Sequence, residues 1–176
     1  MRLIKKQFDV KTCQRCRLSA VRRHVVEGRG VKPADILFIG EAPGTSEDLL
    51  GEAFVGASGK LLDQMIEHAG LTDVPAYFTN TVLCRPADGR GASSREPRED
   101  EVLACRDNVL KIVLDCQPLV IILVGDIAEK YFSKTFEVAV VKIQHPSFLL
   151  HQGGVRSPYY MANVKKLEAV KNDLHR

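Results

Sequence analysis

Ile36-Leu37-Phe38-Ile39-Gly40-Glu41-Ala42-Pro43-Gly44 is an apolar run that ends in a Gly/Pro-rich turn. The run reads as strand Asp35–Ile39, and its lack of polar alternation suits a parallel strand covered on both faces. Glycine lets the backbone turn sharply and approach a ligand, and Pro43 stiffens the turn. Open α/β sheets place ligands at the carboxyl ends of their strands, so this turn is the first candidate site.

Outward from it, Tyr77–Leu83, Leu119–Val124 and Val138–Ile143 read as three further strands. Helical patterns lie between them. Ser58 can cap a helix whose Leu61, Leu62, Met65, Ile66 and Ala69 follow the 3.6 period, with Gly70 as its stop. Glu99–Asp115, Asp126–Phe132 and Tyr159–Leu174 are the others, the first and last with apolar stripes. Alternating strands and helices predict an α/β fold, a three-layer α/β/α sandwich around a short, mainly parallel four-stranded sheet. At 176 residues it reads as a single domain, residues 1–176. Pro86–Pro97, rich in Gly, Ser, Ala and Arg, has no periodicity and is predicted to be a flexible loop.

Met1–Val10 is interrupted by Arg2, Lys5, Lys6 and Asp9 and does not resemble a secretory signal. The apolar run Leu119–Val124 is far too short to span a bilayer. A soluble cytoplasmic protein is expected. In that compartment five cysteines do not make a disulfide framework. Cys116, the odd one, is expected to be a small buried hydrophobe. The net charge is only +3, but arginines cluster at positions 15, 17, 22, 23, 85, 90, 95 and 98. Clustered arginine in loops suits contact with phosphates.

Cys13 and Cys16 form a C-x-x-C, and Cys84 and Cys105 follow far downstream. Four-thiolate sites hold zinc or an iron–sulfur cluster. The split second pair favours a larger cuboidal cluster over a compact zinc knuckle, and spacing leaves both open. Phe54, between Gly51 and Gly56, is a core or a stacking residue. Asn80, in or just after a strand beside the Gly40 turn, offers an amide with one acceptor and two donors, able to read an imide edge. His145-Pro146-Ser147 presents an imidazole after the last strand.

In this order, these segments resemble the iron–sulfur (family 4) uracil-DNA glycosylases. The match runs from Cys13 to about Ser147. It takes in Gly40-Glu41-Ala42-Pro43-Gly44, Phe54-Val55-Gly56, Ser58-Gly59-Lys60-Leu61-Leu62-Asp63, Thr79-Asn80, Cys84-Arg85-Pro86, Ala104-Cys105-Arg106 and His145-Pro146-Ser147. The resemblance implies a structural [4Fe–4S] cluster on Cys13, Cys16, Cys84 and Cys105. It implies a monomer that flips uracil out of single- or double-stranded DNA and hydrolyses the N-glycosidic bond. Phe54 would stack on the base, Asn80 would read its N3–H and O4, and the Gly40–Glu41 backbone with His145 would meet O2. Glu41 would orient the water beside Ala42, where relatives outside the family carry a carboxylate or amide. Arg85, Ser147, Phe148 and Leu149 would contact DNA, the last two as a wedge. The chain departs from the family in a longer Cys84–Cys105 loop and in its tail beyond Gly153.

Three other readings share these residues. They are a glycosylase for another modified base, a non-catalytic module that binds flipped bases, and a zinc-stabilised nucleic-acid-binding protein. An excision assay separates the first two from the expected activity, and the bound metal identifies the third.

Overall fold

Along two central strands, successive side chains enter opposite halves of the core. A computed structural model describes residues 9–174, so the reading of Met1–Val10 lies almost wholly outside the described residues. In β2 (Ile36–Gly40), Ile36 and Phe38 join one cluster while Leu37 and Ile39 join the other. In β4 (Val120–Val124), Val120, Ile122 and Val124 alternate in the same way with Ile121 and Leu123. Both strands are buried throughout, as a sheet covered on both faces requires.

The first cluster is closed by α2 (Ala57–His68), α5 (Pro146–His151) and α6 (Pro158–Leu174), through Leu62, Met65, Leu149, Tyr160 and Leu167. The second is closed by α3 (Glu99–Cys116) and α4 (Asp126–Phe132), through Val102, Val109, Ile112 and Phe132. These are the three expected layers. Cys116 is fully buried among them. Among the described residues no helix is long and apolar enough to cross a membrane.

The sheet has five strands rather than four, in the order β1-β3-β2-β4-β5. The addition, β1 (Arg29–Gly30), pairs antiparallel with β3 (Ala76–Asn80) at the edge, Arg29 opposite Phe78. Two residues without apolar alternation carry no strand signal; their pairing is made by the partner strand. The remaining pairs, including β4 with β5 (Ala139–Ile143), are parallel. β3 stops at Asn80, three residues before the expected end, because Thr81–Leu83 turns away while staying buried. Two short helices also replace expected loops: α1 (Thr45–Leu50) and α5, the latter opened by Pro146 at its first turn.

Pro86–Pro97 is held rather than loose. Ala87 and Ser94 form a β-bridge across it, and Arg85 Nε donates to Ser94 Oγ at 2.8 Å. Arg95 donates to both oxygens of Glu101, at 2.9 and 2.7 Å, and through Nε to Asp88 at 2.8 Å. Glu101 is fully buried in the first turn of α3 and also accepts the Arg98 backbone N–H, a capping interaction. A buried bidentate pair holds the loop only while both partners remain. Glu101→Ala is expected to cost about 3 kcal/mol in urea unfolding and to expose residues 86–97 to limited proteolysis. An unchanged midpoint with an uncut loop would show that the pair does not hold it.

Candidate active site

The polar residues singled out in the sequence meet at the carboxyl ends of three strands. Gly40 and Asn80 are register partners at the ends of β2 and β3, and His145 follows β5. Asn80 is 3% exposed, and among the described residues its side-chain amide has no hydrogen-bond partner. The amide lines a cavity, and its donors and acceptor are open to it rather than sealed in the core. Gly40 has no room for a side chain: a Cβ there would lie 2.5 Å from the Phe54 ring and 2.6 Å from Asn80 Oδ1. Gly125, at φ +92°, likewise lets β4 turn against His145.

Phe54 is both core and cavity wall. It is 7% exposed, its ring meets Phe78 edge-on at 6.1 Å, and Phe78 stacks on Phe38 at 4.7 Å. Its backbone is left-handed, φ +55°, an uncommon state for an aromatic residue and one maintained by its surroundings. Glu47 supplies part of that support, accepting the N–H of Gly44 at 3.1 Å and of Gly56 at 2.7 Å. One carboxylate thereby clips the turn after β2 to the segment that carries Phe54. The resulting cavity, about 210 Å³, is lined by Glu41, Ala42, Phe54, Asn80, Arg95 and His145, among others. The Glu41 carbonyl accepts from the Thr81 hydroxyl. Burial, and secondarily Glu96, pushes its carboxyl above the usual range.

Burial also lowers His145, to about 4, so the ring is neutral at physiological pH. The Ser147 backbone N–H donates to Nδ1 at 3.2 Å, and the Ser147 hydroxyl lies 2.7 Å from the same nitrogen. A backbone N–H can only donate. Nδ1 is therefore the acceptor, and the single proton of the neutral ring sits on Nε2, as a donor for the cavity.

Cys13, Cys16, Cys84 and Cys105 line one internal cavity together. Among the described residues no group of three or more His, Cys, Asp or Glu side chains is placed to hold a metal ion. Asn108 Nδ2 donates to Cys13 Sγ at 3.8 Å, and the Leu83 N–H to Cys105 Sγ at 3.4 Å. Burial pushes Cys84 up to about 12 and Cys105 to about 11.

Residues 27–171 match the family model described as the uracil DNA glycosylase superfamily. The chain belongs to that superfamily. It is 37% identical over 157 residues to the type-4 uracil-DNA glycosylase of Saccharolobus solfataricus, covering 89% of this chain and 66% of that one. To the enzyme of the same name from Archaeoglobus fulgidus it is 32% identical, over 86% of this chain and 84% of that one. To the Sulfurisphaera tokodaii enzyme it is 39% identical, over 80% and 64%. The chain thus spans slightly under two thirds of the first and third relatives.

Within this superfamily member the expected DNA-contacting residues separate. Phe148 is 40% exposed, as is Leu150, and Phe148 packs on Tyr159 at 5.3 Å. Leu149 is fully buried in the core, because the helical phase of α5 turns it inward while its neighbours face out, so it is not available as a wedge. Arg85 is 8% exposed and spends its guanidinium on Ser94 and the Ala92 carbonyl, bracing the loop rather than projecting toward phosphate. Ser147 orients His145. Glu47, Ser94 and Arg95 were not anticipated at the cavity; only the Glu three residues after Gly44 carried a signal, as a capping pattern. An NMR titration of the His145 ring is expected to give a midpoint near 4. Protein stability should accordingly decline as pH falls from about 6.5, where the unfolded ring begins to take its proton, and level off below 4. A midpoint near 6.5 would mean that the ring is solvated and the donor assignment wrong.

Proposed function

We propose that this chain removes uracil from DNA by hydrolysing the N-glycosidic bond of an everted deoxyuridine. The observation that carries this reading is the unpartnered Asn80 amide, set between the Phe54 ring and the neutral imidazole of His145 in a cavity sized for one base. An amide can give its oxygen to N3–H and its nitrogen to O4 of an imide, a pairing that cytosine's edge reverses. Phe54 offers the stacking face, worth about 1–3 kcal/mol per base. As the bond to C1′ breaks, its electron pair passes to uracil N1 and negative charge spreads onto O2. His145 Nε2–H donates there without having to lose a charge of its own. Glu41 orients the attacking water and takes its proton, and its anionic form faces the developing positive charge on the sugar. The names of the similar enzymes support the same substrate.

Asn80→Ala is expected to lower single-turnover uracil release by about 10²–10³-fold, the scale of one lost oxyanion donor. Affinity for uracil-free DNA should stay within about twofold, since groups inside the base cavity carry none of the sequence-independent phosphate term. Unchanged turnover would remove Asn80 from this role.

We propose further that the four cysteines hold a [4Fe–4S] cluster. Their donor set is all thiol, the four line one cavity, and two of them already accept N–H···S contacts from Asn108 and Leu83. Such a group would supply cross-linking, fastening the segment after Cys16 and the loop after Cys84 to α3. Purified protein is expected to be brown and to contain iron and acid-labile sulfide, both lost in Cys105→Ala together with thermal stability. A colourless protein containing one zinc per chain would overturn the assignment.

A further inference from the structure

The helix α3 is apolar on two faces. Val102, Cys105, Val109, Ile112 and Cys116 pack into the core. On the opposite face Leu103 and Leu114 are 57% and 74% exposed, with half-buried Leu110 between them. Spacings of seven and four residues put all three on one stripe. Two exposed charges flank it on one side, Asp107 and Lys111. The Asp107 carboxylate is 79% exposed and meets Arg15 only at 3.4 Å. Lys111 has Asp107 and Asp115 one turn to either side and, among the described residues, pairs with neither. This face is self-complementary. Turned end for end about a two-fold axis near residue 109, it sets Leu103 against Leu114 of a second copy and Asp107 against that copy's Lys111, because both pairs are spaced evenly about that point. A parallel alignment would instead oppose like charges. The direction of α3 suits the antiparallel one. The helix starts near the strand-end cavity, where Glu101 holds Arg95, and ends at the amino ends of the strands, where the Cys116 carbonyl accepts the Ala34 N–H at 2.9 Å. Antiparallel pairing therefore points the two cavities in opposite directions.

We infer that α3 is a dimerisation face: two copies of this chain pack antiparallel through Leu103, Leu110 and Leu114, with Asp107–Lys111 pairs fixing the register. Such a contact covers the exposed leucines, and its flanking charges select partner and orientation. The inference departs from the monomer that the family resemblance implies and holds whatever base the cavity takes. Sedimentation equilibrium of the purified full chain is expected to show a mass rising from 19.5 kDa toward twice that value across the micromolar range. Leu114→Glu buries an unpaired charge in the contact and should weaken the dimer by more than about tenfold. Asp107→Lys and Lys111→Asp each replace two opposite-charge pairs with two like-charge pairs and should weaken it about tenfold. The double reversal makes the pairs opposite again and should recover native dimerisation within about twofold. All three sites are exposed, so each variant should keep the native thermal midpoint in dilute solution. A mass of 19.5 kDa at every concentration would overturn the inference, and a lowered midpoint in Leu114→Glu would then show the stripe covered by its own chain instead. A dimer indifferent to Leu114→Glu would overturn the face, and one that the double reversal does not rescue would overturn the antiparallel register.

Discussion

The Glu47 carboxylate sits between two separate stretches of backbone and bonds to both. It accepts one N–H from Gly44 and one from Gly56. The first belongs to the turn after β2, the second to the segment that holds Phe54 in its left-handed conformation. Charge-assisted bonds to backbone N–H groups are roughly twice as strong as neutral ones. They also fix direction, which hydrophobic packing does not. Without the clip, Phe54 could relax toward an ordinary backbone state and the cavity would lose its flat wall. The strain at Phe54, on the order of 1–3 kcal/mol, is therefore offset locally by bonds made within the same loop pair.

Around that frame the cavity's polar groups are held in fixed positions. Asn80 is buried without a partner, His145 is neutral and protonated on Nε2, and Glu41 is pushed toward its protonated form by burial. In the reading proposed above, the base, the leaving-group charge and the sugar cation would meet these groups. That is the signature of preorganisation: donors and acceptors are oriented beforehand, in surroundings where water is scarce and electrostatic interactions are strong.

Much of this was legible in the chain because it depends on short-range pattern. The apolar run Ile36–Ile39, the glycine turn after it, the C-x-x-C and His145-Pro146-Ser147 each carry their meaning within a few residues. What escaped depends on phase or on distant partners. Leu149 faces inward because it lies on the core side of α5, between the exposed Phe148 and Leu150. Arg85 looked like a phosphate ligand by composition, yet Ser94 and Ala92, brought back by the loop, consume its guanidinium. The Arg29–Gly30 strand exists only because β3 offers it an edge.

The same long-range pairing joins the two sites. Glu101 lines the thiol cavity on one side and on the other grips Arg95, which lines the cavity at the strand ends. Cys105 lies one helical turn further along α3, so whatever sets the position of that helix sets Glu101, then Arg95, then the loop wall carrying Ser94. A side chain with no exposed surface and a bidentate partner cannot shift without leaving charge unpaired in the interior, a cost of several kcal/mol. The linkage is therefore stiff. A displacement at the thiols would thus reach the cavity at the strand ends through the Glu101–Arg95 pair.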